Sequence, residues 1–181
     1  GKMQASQKGV PDVFMTCDAT YLDMAQAKMN QPFGPDIKVS STRIVMLVAK
    51  GNPHGLRSLT DLSKPGLRIG TTDPRASALG ALSHELCRET GQFDAIEPNI
   101  LMMADTAHTL IQTMEAGGKL DVVLVYEANI QHLKNRFDSV ILQPARALAV
   151  QNVAARKTTP YPRLAKRLMD RLTSAASRQR F

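Results

Sequence analysis

A chain of 181 residues is long enough for one large domain or two small ones, and 43% hydrophobic with 22% charged residues is the balance of an ordinary globule. That balance excludes a disordered or collagen-like chain, and the longest apolar run, Ile44 to Ala49, is too short to cross a bilayer. The formal charge of +7 suits an anionic partner. Much of it sits near the carboxyl end, where Arg156, Lys157, Arg163, Lys166, Arg167, Arg171, Arg178 and Arg180 face a single Asp170.

In chain order, Pro11 to Thr16 is a short apolar run after Gly9 and reads as a buried strand. Asp18 then caps a helix carrying Tyr21, Leu22, Met24 and Ala25. Ser41 to Lys50 (STRIVMLVAK) is the strongest strand signal, rich in β-branched residues and stopped by Gly51-Asn52-Pro53. Leu56 to Leu62 reads as a short helix or turn, and Leu67 to Gly70 as a brief strand. Asp73-Pro74 favours helix entry, giving a helix from Ala76 to Glu89 that Gly91 closes.

Ile100 to Met102 is another short strand, and Asp105 or Thr106 caps a helix through Leu110, Ile111 and Met114 that stops at Gly117-Gly118. Asp121 to Tyr126 (DVVLVY) is continuously apolar, as a strand buried on both faces of a parallel sheet would be. Val140 to Leu142 and Ala147 to Ala154 add two strands, and Tyr161 to Ala176 is a final amphipathic helix. Strands alternate with helices, so the expected fold class is α/β.

Several chemistries lack their residues. Cys17 and Cys87 form neither a disulfide framework nor a zinc spacing and read as buried free thiols. His54, His84, His108 and His132 are scattered, so no metal site is expected. Ser83-His84-Glu85 points to different helix faces and no GxSxG elbow exists, so no catalytic residue is assigned. Gly66, Gly70 and Gly80 build no phosphate loop, and no cofactor is implied. The nine methionines read as core filling. Eight aromatic residues without a base-stacking pattern argue against nucleic acid as the partner. The start, Gly1-Lys2-Met3-Gln4, has no apolar signal-peptide core.

What remains are two strand-to-helix junctions, Thr71 to Ser77 and Met103 to Thr106, each placing main-chain N–H groups at a helix start, where an anion is favoured. Tyr126, at the carboxyl end of its strand, adds a hydroxyl on the side of an α/β sheet where ligands bind.

With these residues in view, the sequence resembles the periplasmic molybdate-binding proteins of ABC transporters, within the type 2 periplasmic substrate-binding fold. Gly9 to Phe14 with Asp18 looks like that family's GAPADLFISAD segment, and Arg43 to Lys50 like its first crossover strand. Arg68 to Pro74 with Gly80 looks like RLAVGDP...PAG, and Asp121 to Tyr126 like GIVY.

The resemblance implies two α/β lobes joined by hinge strands, lobe I from residues 1–43 and 149–181 and lobe II from 44–148. It implies an oxyanion of the molybdate or tungstate class held by the main-chain amides of Leu79 and Thr106 and the hydroxyl of Tyr126. Leu79 replaces a small alanine, which a main-chain donor tolerates if the side chain points away. The family's leading strand and helix, with two ligand-binding serines, precede the segment matched by Gly1 to Gly9, so lobe I is expected to be incomplete at its amino terminus.

The last helix would pack on lobe I through Leu164, Leu168 and Leu172, and Cys17 and Cys87, falling in different lobes, would stay free. The implied activity is solute binding outside the cytoplasm with delivery to an ABC permease, by a monomer. The alternative is a ligand-sensing regulatory lobe of the same fold that binds a small organic anion.

Overall fold

The computed structural model describes residues 9–143 and 147–180, so the Gly1-Lys2-Met3-Gln4 start lies outside the described residues. Packing of the backbone divides the chain into two compact units: Gly1–Ser41 together with Ala149–Phe181, and Thr42–Leu148.

In the first unit, β1 (Val13–Met15) pairs antiparallel with β7 (Leu148–Ala155), Phe14 opposite Ala154. Helix α1 (Ala19–Lys28) starts where expected: Asp18 is its N-cap, and the carboxylate accepts from the Thr20 amide at 3.0 Å. Its buried Leu22 and Ala25 meet Phe33 and Ala154, and Phe33 stacks on Phe14 with ring centroids 5.3 Å apart. The Gln26 side chain fixes the return of the chain by bonding both the N–H and the carbonyl of Phe33.

The carboxyl-terminal helix departs from expectation twice. It breaks at Thr173 and Ser174 into α5 (Pro162–Leu172) and the short α6 (Ala175–Arg178), because the Ser174 hydroxyl caps a new turn by accepting from the Ser177 amide. Its leucine stripe is also not buried. Leu164 is 63% and Leu168 47% exposed, as is Tyr161 at 59%. The helix is rolled so that Ala165 is buried and Met169 and Leu172 are half-buried, which turns the neighbouring leucines outward.

The second unit holds a mixed five-stranded sheet. Strand β2 (Ile37–Ala49) enters this unit at Thr42 and pairs antiparallel with both β5 (Val122–Tyr126) and β6 (Phe137–Ile141). Strand β3 (Ile69–Thr72) lies parallel between β5 and β4 (Ile100–Ala104). The expectation of a purely parallel setting for DVVLVY is therefore corrected: β5 has one parallel and one antiparallel neighbour.

Burial on both faces does hold, and the period-2 geometry of a strand explains it. Val122 and Leu124 enter one apolar cluster with Ile44, Met46 and Val48, while Val123 and Val125 enter another with Val45 and Leu47. Each such side chain contributes on the order of 1.5–3 kcal/mol relative to exposure.

Helices α2 (Ala78–Glu89) and α3 (Phe93–Ile96) cover the first cluster, and α4 (Ala107–Glu115) covers the second. Helix α2 begins two residues later than Asp73-Pro74 suggested. The Asp73 carbonyl accepts from the amides of both Ala76 (3.1 Å) and Ser77 (2.9 Å), so an extra turn is inserted first.

Two composition-based readings are also corrected. Both cysteines are free, but Cys17 is exposed and only Cys87 is buried. Met46 and Met114 fill the core, whereas Met15, Met24 and Met103 are exposed.

Candidate functional site

Strands β3, β4 and β5 run parallel, so their carboxyl ends share one edge of the second unit's sheet. The registers Thr72 opposite Ala104 and Gly70 opposite Val123 set the alignment, and the Asp73 amide extends it by donating to the Ala104 carbonyl at 2.9 Å. All three residues expected to bind an anion follow from this edge: Leu79 after β3, Thr106 after β4, and Tyr126 as the last residue of β5.

At the first junction, Ser77 is the N-cap in extended conformation, yet its side chain makes no cap bond. The first main-chain bond to the cap is Ala81 N–H to Ser77 C=O at 3.0 Å, which leaves the amides of Ala78, Leu79 and Gly80 without an intrahelical acceptor. The dipole of the helix adds partial positive charge at the same place. Leu79 is 2% exposed and packs into the apolar cluster with Ile69 and Leu86, so its side chain points into the core while its amide belongs to the helix start.

Gly80 lets this happen. A Cβ there would lie 2.3 Å from the Thr72 carbonyl oxygen and 2.7 Å from the Asp73 carbonyl, both main chain and unable to yield cheaply. The first turn of α2 is thus pressed against the end of β3. Arg75 binds Asp73 through its guanidinium (3.2 and 3.0 Å) and its amide (2.8 Å), which together hold the Asp73 carboxyl below the usual carboxylate range.

At the second junction Thr106 is the N-cap, and of the two expected cap residues it alone performs the role. Its hydroxyl accepts from the Thr109 amide at 3.2 Å and lies 3.0 Å from the Thr109 hydroxyl. Tyr126 is half-buried against the cluster that holds Leu79 and pairs with Ile44 of β2. Leu79 and Tyr126 therefore share one face of the sheet. Thr106 shares their strand-end edge but opens a helix on the opposite face.

The histidines serve elsewhere. His54 sits 3.3 Å from Asp121, at the other end of β5, where Arg68 also engages that carboxylate at 2.6 Å. Hydrogen bonding to Arg68 holds the Asp121 carboxyl below its ordinary range. His84 packs edge-on to Phe93 with centroids 4.2 Å apart. Among the described residues no group of three or more His, Cys, Asp or Glu side chains could hold a metal ion.

Sequence reasoning missed one contributor at this edge. Thr42 accepts from the Ala128 amide at 3.3 Å and secures the segment that follows Tyr126. Nothing in the local pattern marks it, since the contact joins segments distant in sequence.

Comparison with known proteins follows this geometry. The model of a family described as bacterial extracellular solute-binding protein matches residues 2–181. The molybdate-binding protein ModA of Mycobacterium tuberculosis is 27% identical over 177 residues, covering 97% of this chain and 65% of the relative. The chain thus spans about two thirds of the length of the curated relatives it matches.

Among solved structures, the substrate-binding domain of a putative molybdenum ABC transporter from Clostridium difficile superposes with a TM-score of 0.74 at 13% identity, over 96% of this chain and 75% of that one. The periplasmic molybdate-binding protein of Azotobacter vinelandii gives 0.69 at 19% identity, over 94% and 75%. These likenesses establish the fold: mixed α/β, of the type 2 periplasmic-binding-protein class.

Proposed function

The chain belongs to the bacterial extracellular solute-binding protein family, and from that premise we propose that its solute is a tetrahedral oxyanion of the molybdate or tungstate class. Members of this family bind solutes and are not enzymes, so the chemistry required is recognition. The observation that carries the reading is the common edge: two helix starts and a tyrosine, all following parallel strands of one sheet.

The Leu79 and Thr106 amides and the Tyr126 hydroxyl are neutral donors. Neutral donors suit a dianion that must be released again, because they offer directed hydrogen bonds without the deep electrostatic well of a buried cation. Selectivity follows from size. An ion too small to reach every donor leaves one unpaired, at a cost of about 1–3 kcal/mol per group. The loaded protein acts outside the cytoplasm, as a monomer, and passes its ion to an ABC permease.

Calorimetric titration with molybdate, tungstate, sulfate and small carboxylates tests this reading. Molybdate and tungstate should bind more tightly than sulfate, and Tyr126→Phe should weaken them about tenfold, the worth of one hydrogen bond to a charged group. A carboxylate that binds best would overturn the oxyanion reading in favour of an organic-anion sensor. Equal affinity of wild type and Tyr126→Phe would remove the tyrosine from the site.

A further inference from the structure

The first junction carries a closed pair of charges. The Arg75 guanidinium bonds both oxygens of the Asp73 carboxylate, Nε to Oδ1 at 3.2 Å and Nη2 to Oδ2 at 3.0 Å, while the Arg75 amide donates to Oδ1 at 2.8 Å. Bonding to the Arg75 side chain holds the Asp73 carboxyl below its ordinary range, so it is ionised at neutral pH. The Arg75 side chain is 89% exposed, and an ion pair so open to water adds little to stability. Its charges still act on a neighbouring ion.

Asp73 is anchored to both candidate helix starts. A Cβ on Gly80, the residue after Leu79, would lie 2.7 Å from the Asp73 carbonyl carbon, and the Asp73 amide donates to the Ala104 carbonyl, two residues before Thr106, at 2.9 Å. The segments Asp73 to Leu79, Asp105 to Thr106 and Tyr126 to Glu127 bring three carboxylates to this edge, Asp73, Asp105 and Glu127, and only one basic residue, Arg75. That is an acidic setting for a dianion.

We propose that the Asp73–Arg75 pair sets the charge of the oxyanion site: Asp73 holds the Arg75 guanidinium beside the start of α2, where it cancels a carboxylate charge that would otherwise repel the ion. Both are positioning residues that act through their field, while the hydrogen bonds to the ion come from the amides and the tyrosine. The inference rests on the oxyanion reading of this edge and adds to it how an acidic strand-end edge admits a dianion.

The size of the effect follows from Coulomb's law. A unit charge and a dianion about 9 Å apart in water change affinity about fivefold. Screening lowers this to about threefold in 0.01 M salt and to less than twofold in 0.15 M salt.

Calorimetry on the full chain with molybdate and sulfate at those two salt concentrations tests the proposal. In low salt Arg75→Gln, which bares the carboxylate, should weaken molybdate about threefold, and Asp73→Asn, which frees the guanidinium charge, should tighten it about threefold. Asparagine keeps an oxygen for the Arg75 amide, so the turn is preserved. The double variant should fall between the two, and the ratio of molybdate to sulfate affinity should not move, because both ions are dianions. A merely structural role would weaken binding in both single variants whatever the salt. Single variants that shift the same way, or that both match wild type in low salt, overturn the proposal and leave the oxyanion reading standing. A wild-type protein that binds neither dianion overturns both.

Discussion

The two strand-to-helix junctions of the second unit solve the same problem in opposite ways. Each must satisfy the free amides of a helix start. At α4 the third helical residue is Thr109, and the Thr106 hydroxyl takes its N–H. At α2 the third residue is Gly80, the Ser77 side chain caps nothing, and the helix is jammed against the end of β3. One junction spends a donor on its own stability, while the other keeps its donors and draws stability from close packing. A site that releases its ligand can use both, a self-sufficient wall and an open one.

The sharpest way to break the comparison is Gly80→Ala. The new methyl meets main-chain atoms at 2.3–2.7 Å, so the urea midpoint should fall by an amount equivalent to roughly 3 kcal/mol. A loss well under 1 kcal/mol would mean that α2 can shift freely along β3.

Thr106→Ala comes next, with an expected loss of about 1 kcal/mol from the missing cap and little change in ion affinity, since the main-chain donor remains. Thr106→Ser should restore the stability. The smallest effect is expected from Ser77→Asp, which supplies the cap that α2 lacks. It should stabilise the free protein by about 0.5 kcal/mol while weakening oxyanion binding, because a carboxylate then occupies the positive end of the helix. A variant that gains stability without losing affinity would show that the α2 amides are not the ones the ion uses.

Much of this architecture is legible in the chain itself. Asp18, Thr106 and Gly91 mark helix boundaries through capping and positive-φ chemistry, and the apolar run ending at Tyr126 announces a strand covered on both faces. These signals are local, and local physics enforces them.

What sequence could not supply depends on how surfaces meet. The period of α5 shows which residues share a stripe but not which flank of the stripe is covered; Ala165, a small residue, marks the actual contact. Gly80 looks like an indifferent helix glycine until Thr72 and Asp73 are placed beside it. The two junctions and Tyr126 were readable because helix starts and strand ends are properties of the chain order, whereas the choice of the Leu79 and Thr106 amides is what the family resemblance implies. Their alignment on one edge required the parallel registers of β3, β4 and β5.

The central claim is that one ion engages both helix starts at once, and backbone-amide NMR during titration with molybdate measures this most directly. The account predicts that the amide resonances of Leu79 and Thr106 shift together, saturate at the same molybdate concentration, and move less in response to sulfate. Shifts at only one junction, or at neither while molybdate binds elsewhere, would contradict it.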